Sequence, residues 1–346
     1  MSCCDESSAC VPDRQVSRRA ILRGAAVVSA LVPGLSGQHA AAQGKKVTLA
    51  FCSQLLCIIP YEVARAGGHF QKQGLNVELV YTRGGNAAMQ ALVGGAVDYA
   101  ATALDVAIQA YAKGAPIRRF ATTGRLPLFA LATAPKLAAQ IQSVKDLEGK
   151  TVGISALGNA DHALMLFLLK QANADAGKVQ FATLGVNLLE ALRQAQVDAG
   201  LVQEPALTLL RQSGARVLVN AMDAADAQKY LGGSYEFMGV AVRAGEFEQR
   251  RAEMKALAQG LADALLALRR LRPDEIAGAL PKELTAGMDS SLLGDIVVRY
   301  RESLYPETVR IDLASARRVA ESLRMGGLLR PGIDVSKLHD TSIVGG

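Results

Sequence analysis

The chain has 346 residues, a formal net charge of +6 and no tryptophan. Half of its residues are hydrophobic and a fifth are charged (50% and 20%), so it is a folded globular chain long enough for two domains with their own cores. No apolar run reaches the roughly 18–20 residues of a membrane-spanning helix. The basic residues form no block interleaved with aromatics of the kind nucleic-acid binders carry, and the 5% aromatic content argues against a carbohydrate-stacking site.

Residues 1–42 read as an export leader. Ser17-Arg18-Arg19 precedes a short apolar stretch over 24–35, and small residues lead to Ala40-Ala41-Ala42, a cleavage site before Gln43. That order of charged region, apolar region and small-residue site marks a secretory signal, and the arginine pair resembles a twin-arginine signal. A mitochondrial presequence, the alternative, is poorly served by Asp5, Glu6 and Asp13. Cys3, Cys4 and Cys10 leave with the leader, and Cys52 and Cys57 remain. In an oxidising compartment those two could pair, but so short a bridge needs favourable backbone geometry. We expect two free, partly buried thiols.

The mature chain then alternates between strand and helix patterns. Strands are expected over 46–52, 76–82, 97–102 and 117–123, with helices over 60–74, 85–95 and 104–114 between them. Pro60 marks the start of the first helix and Gly74 its end. An apolar strand over 127–135 breaks the series. A second series follows, with strands over 151–155, 178–184, 198–202 and 215–220 and helices over 160–173, 188–195 and 205–213. Another apolar strand covers 236–245, helices run to about 326, and the tail is irregular.

One stretch occurs twice. Ala91-Leu92 and Val97-Asp98 recur one hundred residues later as Ala191-Leu192 and Val197-Asp198, each time as a helix, a short turn and a buried strand. The period is too long for a solenoid repeat and predicts two similar α/β lobes. The two odd strands, 127–135 and 236–244, bracket the second series and are expected to cross between lobes as a hinge. Lobe one is then 43–130 plus 245–346, and lobe two is 136–236.

In open α/β sheets ligands bind beyond the carboxyl ends of the strands, where helix N-termini present free N–H groups and a partial positive charge. That rule selects Ser53, Gln54, Leu55, Arg83, Asn86, Thr102, Thr123 and Arg125 in lobe one. In lobe two it selects Ser155, Gly158, Asn159, His162, Asn187 and Glu204. Each has a plainer role available. Arg125 either clamps an anion with its planar fork or pins the hinge, and Arg83 is either a clamp or a solvated loop residue. His162 is a cleft donor or a cap-region histidine, and Glu204, before Pro205, closes the cleft or starts a helix. Asp161 is expected as a dipole partner rather than a ligand contact. No HExxH, GxSxG, CxxC or Walker motif is present, and no metal or cofactor is expected.

Three segments in order carry a family resemblance: Asp146-Leu147-Glu148-Gly149-Lys150 with Thr151-Val152-Gly153-Ile154-Ser155, then Gly158-Asn159-Ala160-Asp161-His162, then Ala191-Leu192 and Val197-Asp198-Ala199 leading to Glu204-Pro205. Together with the leader they make the chain resemble the periplasmic substrate-binding proteins of nitrate/sulfonate/taurine-type ABC importers, over about 46–340. The resemblance implies a type II two-lobed α/β fold, each lobe a mostly parallel sheet flanked by helices, joined by two crossover strands. It also implies a monomeric periplasmic protein that captures a small anion and delivers it to an ABC permease, with no enzymatic activity. Enzymes on the same scaffold exist, desulfinases among them. The rival reading casts Cys52 or Cys57 as nucleophile with His69 and Arg83 beside it, and a third reading is an exported sensor.

Overall fold

The structure, a computed structural model, describes residues 44–285 and 289–345. The expected leader, its cleavage site and Cys3, Cys4 and Cys10 lie outside the described residues. The described residues form ten strands: β1 (Lys45–Cys52), β2 (Leu75–Thr82), β3 (Tyr99–Ala103), β4 (Ile117–Thr122), β5 (Ala130–Thr133), β6 (Thr151–Ile154), β7 (Gln180–Thr183), β8 (Ala199–Val202), β9 (Val217–Asn220) and β10 (Met238–Arg243). They pair into two five-stranded sheets, β2-β1-β3-β10-β4 and β7-β6-β8-β5-β9. The interior strands β3, β5 and β8 are buried along their whole length. They read as unbroken runs of small or apolar residues because both faces are covered.

The two odd strands do not cross between sheets, contrary to expectation. β5 lies between β8 and β9, and β10 lies between β3 and β4, each antiparallel to both neighbours. The crossings are instead the segments 123–129 and 221–237. The antiparallel sense follows from the route. The chain leaves β4 at the carboxyl end of the first sheet and, after a short connection, enters β5 from the carboxyl ends of β8 and β9. The carboxyl edges of the two sheets therefore face each other. The crossings are also tied together, since Tyr235 N–H donates to Arg125 O (2.9 Å) and Phe237 N–H to Gly124 O (3.0 Å).

The helices are α1 (Leu55–Ala66), α2 (His69–Lys72), α3 (Gly85–Val93), α4 (Leu104–Ala112), α5 (Ala160–Gln171), α6 (Leu188–Arg193), α7 (Ala206–Gln212), α8 (Ala224–Asp226), α9 (Arg251–Leu268), α10 (Pro273–Ala279), α11 (Lys282–Thr285), α12 (Ser290–Leu304) and α13 (Leu313–Met325). The first begins earlier than Pro60 suggested. Leu55–Ile59, expected as loop, form its opening turns, and Pro60 lies inside it. The C-terminal helices serve both sheets. α9 packs so closely on α2 that a Cβ on Gly260 would sit 2.9 Å from the Phe70 ring. Farther on, Tyr300 of α12 accepts a hydrogen bond from Asn220 at the end of β9 (3.1 Å).

The repeat is matched bond for bond. Asp98 accepts from Thr48 N–H at 2.8 Å and Asp198 accepts from Thr151 N–H at 2.7 Å, so each aspartate ties its helix-turn unit to the neighbouring parallel strand. The turns also agree, with Ala96 N–H donating to Ala91 O and Gln196 N–H to Ala191 O. Gly95 and Ala195 occupy the same left-handed position, at φ 79° and 55°.

Candidate functional site

Of the helices that start at the facing edges, four open onto one cavity: α1 after β1, α3 after β2, α4 after β3 and α5 after β6. Their N-cap residues are Gln54, Gly84, Ala103 and Asn159, and none of these caps its helix with its side chain. α12 and α13, by contrast, are capped by side chains, with Asp289 and Asp312 accepting from their first N–H groups. The first N–H groups of a helix have no intrahelical partner and carry about half a positive charge between them. All four uncapped N-cap residues line one cavity between the sheets, of about 30 Å³. That volume takes about two water-sized groups.

The rest of the wall is mostly apolar. Val106, Phe129, Phe237 and Met238 contribute to it, and the two phenyl rings meet edge-on with centroids 6.0 Å apart. Cys52 and Cys57 line it as well, and they are joined in a disulfide, not free as expected. The helix starting at Leu55 brings Cys57 round to the end of β1, a local geometry the sequence pattern did not show. With both sulfurs in one bond, neither is a thiolate nucleophile. His69 sits on α2 against α9, away from the cavity lining.

Hydrogen bonds close the cleft from both sides. Gln203 donates to the Gln54 side chain. Asn86 N–H donates to Asn159 Oδ1 (3.3 Å), and Gln109 donates to Gly158 O (3.1 Å). Asn159 thus spends its carbonyl oxygen across the cleft, and its amide donates to Ser155 Oγ (3.0 Å).

Of the residues selected from sequence, Gln54, Ser155 and Asn159 line the cavity, and Asn86 and Gly158 make bridges beside it. The others are placed elsewhere. Ser53 donates to Thr82 O, and Leu55 is buried in the first turn of α1. Thr102 is buried beneath α3, its Cβ 3.8 Å from where a Cβ on Gly85 would stand. Thr123 shares a hydrogen bond with Tyr61 (2.7 Å), while Arg83 and Asn187 are exposed. Arg125 lies in the segment between β4 and β5 and donates to Glu302 O (2.7 Å), outside the cavity lining. His162 accepts from Gly158 N–H and packs edge-on against Phe181, with its basicity lowered by burial. Glu204 accepts from the Thr208 N–H and hydroxyl, capping the start of α7.

Asp161, set aside in the sequence reading, lines the cavity and is 1% exposed. Its carboxylate accepts from Ser155 N–H (2.5 Å) and Ser155 Oγ (2.8 Å). Burial pushes its pKa up, and those hydrogen bonds work against the rise. The described residues lining the cavity include no Lys, Arg or His. The sequence signal for this site was the absence of Ser, Thr, Asp or Asn at three of the four N-cap positions.

A sequence profile described as NMT1/THI5 like matches residues 57–267. Comparison with curated proteins finds no match. Among solved structures the chain is similar to a protein from Bordetella bronchiseptica RB50, at 24% identity and a TM-score of 0.78, over 87% of this chain and 96% of that one. It is also similar to the alkanesulfonate-binding protein SsuA of Xanthomonas axonopodis pv. citri bound to MOPS, at 17% identity and 0.68, over 87% and 100%. The nitrate-binding protein NrtA of Synechocystis PCC 6803 matches at 14% identity and 0.69, over 87% of each chain. The shared architecture is the periplasmic-binding-protein fold, two mixed α/β sheets flanked by helices.

Proposed function

The chain belongs to the NMT1/THI5-like family, and we propose that it is a solute-binding protein that captures a small anion between its two sheets and delivers it to an ABC importer. The observation that carries this reading is the convergence on one cavity of four helix N-termini, none of them capped by its own N-cap side chain. Such ends attract negative charge and supply N–H donors without a cationic side chain. The sulfonate- and nitrate-binding proteins of the same fold point to the same class of cargo.

In this reading the lobes are built on the two sheets and hinge at 123–129 and 221–237. A ligand that touches both lobes favours the closed form, because only differential affinity shifts that population. Gln54, Ser155 and Asn159 are the side chains we assign to the ligand, with N–H groups at the starts of α1, α3 and α5. The protein works outside the cytoplasm as a monomer, exported by its first 42 residues. We read it as a carrier, not a catalyst, since the cysteine chemistry of the alternative needs a free thiol and the bridge uses both.

Calorimetry of the purified mature chain against nitrate, small alkanesulfonates and small carboxylates tests the proposal. Saturable one-to-one binding of one of these is expected, weakened at least tenfold by Asn159→Ala. Absence of binding across the whole panel sinks it.

A further inference from the structure

We infer that Asp161 sets the charge of the cargo, so that the cleft admits a ligand with one negative charge and turns away one with two. This rests on the reading that the cavity holds an anion. Four helices of 12, 9, 9 and 12 residues begin at its wall, each bringing about half a positive charge. In its ionised form the one carboxylate among them, 1% exposed, offsets about half of that total. What remains is about one positive charge, the complement of a monoanion. A second negative charge would face the carboxylate across a cavity of about 30 Å³ whose described lining has no Lys, Arg or His to answer it.

The carboxylate is fixed in place. Ser155 holds both of its oxygens, so it does not turn away when a ligand enters. The residues that share the wall with it from α1, α3 and α4 are Gln54, Gly85, Ala103 and Val106, which do not titrate, and Cys57 is in the disulfide. On its own helix the neighbour is His162, whose basicity burial lowers and whose Nδ1 accepts from Gly158 N–H. Behind the wall on α4 lies Asp105, which accepts from Tyr235 (2.9 Å). Wall size and apolarity alone would not discriminate between one charge and two, because the tetrahedral head groups of sulfonates and phosphonates have nearly the same shape.

Methanesulfonate and methylphosphonate make the test in the unmodified mature protein. The first keeps one charge throughout, whereas the second acquires another near neutral pH, as phosphate groups do. Titrating both at acid and alkaline pH cancels, in the ratio of their affinities, any titration of the protein that acts on the two ligands equally. We expect methylphosphonate to lose at least tenfold relative to methanesulfonate as it becomes doubly charged, and Asp161→Asn to remove most of that loss. A ratio that stays constant with pH overturns the inference and leaves anion capture standing. Failure of the protein to bind either compound at any pH, or any other small anion, overturns both. The pH comparison decides the matter even where the variant does not fold.

Discussion

The hydroxyl of Tyr305 donates to the main-chain carbonyl of Leu56, 2.7 Å away. In an uninterrupted helix that carbonyl would accept from the N–H four residues on, but the residue there is Pro60, which has none. A residue from the end of α12 thus completes the helix whose N-terminus faces the cavity. Tyr305→Phe is expected to cost about 1–3 kcal/mol, the penalty for an unpaired buried acceptor. In a Pro60→Ala background, where the N–H is restored, the same change should cost clearly less. Urea denaturation of the four proteins measures this coupling, and equal costs in both backgrounds would show that the hydroxyl does not serve that carbonyl.

Burial raises the pKa of Asp105 from an ordinary 3.8 to about 6, against the lowering effect of the Tyr235 hydroxyl that donates to it. A raised carboxyl binds its proton more tightly in the folded chain, so its contribution is most favourable below the unfolded pKa. It is lost as pH rises through the window from about 4 to about 6. Asp105→Asn, which retains an acceptor for Tyr235, should therefore gain on the wild type by on the order of 2–3 kcal/mol across that window. Denaturation midpoints of the two proteins at several pH values give the difference, and a pH-independent gap would refute the assignment.

Ala195 holds a left-handed conformation (φ 55°) that its counterpart in the first copy of the repeat, Gly95, adopts freely. Relieving that strain outweighs the extra freedom glycine gives the unfolded chain. Ala195→Gly is expected to stabilise the protein by about 0.5–1 kcal/mol, read from the urea midpoint at unchanged slope.

Gly239 lies where the buried Arg119 side chain passes over β10. A Cβ there would stand 2.2 Å from Arg119 Nη2 and 2.3 Å from Ala121 O. Arg119 cannot yield easily, because its guanidinium donates to Phe237 O (2.9 Å) and pairs with Glu236 (3.1 Å) in the return crossing. Gly239→Ala should cost about 3 kcal/mol or more. Near-wild-type thermal stability would show that the strand has slack the close contacts deny.

Much of the fold was legible because strand and helix periods are local. The ten strands were recognisable as runs such as Tyr99–Ala103 and Ala199–Val202, and the repeat at Asp98 and Asp198 announced two similar halves. The first helix was misplaced because Pro60 looked like a helix opener, and the hydroxyl that permits it inside the helix comes from Tyr305, far along the chain. Arg125 and Glu204 drew attention as charged residues beside turns. The partner of Arg125, Glu302 O, is a distant carbonyl that spacing does not show, whereas Glu204 bonds Thr208 at the start of the following helix, one of the two roles its position before Pro205 left open.

By itself the sequence determined the order of strands and helices, the presence of two α/β units and the strand ends at which a ligand site had to be sought. All of these follow from side-chain periodicity and turn chemistry over a few residues. Only the tertiary structure decided which of those ends meet, that Cys52 and Cys57 are bonded, and that Asp161 rather than a basic side chain stands in the wall. Those facts depend on how two sheets are brought edge to edge by crossings at 123–129 and 221–237, an arrangement set by contacts between segments far apart in the chain.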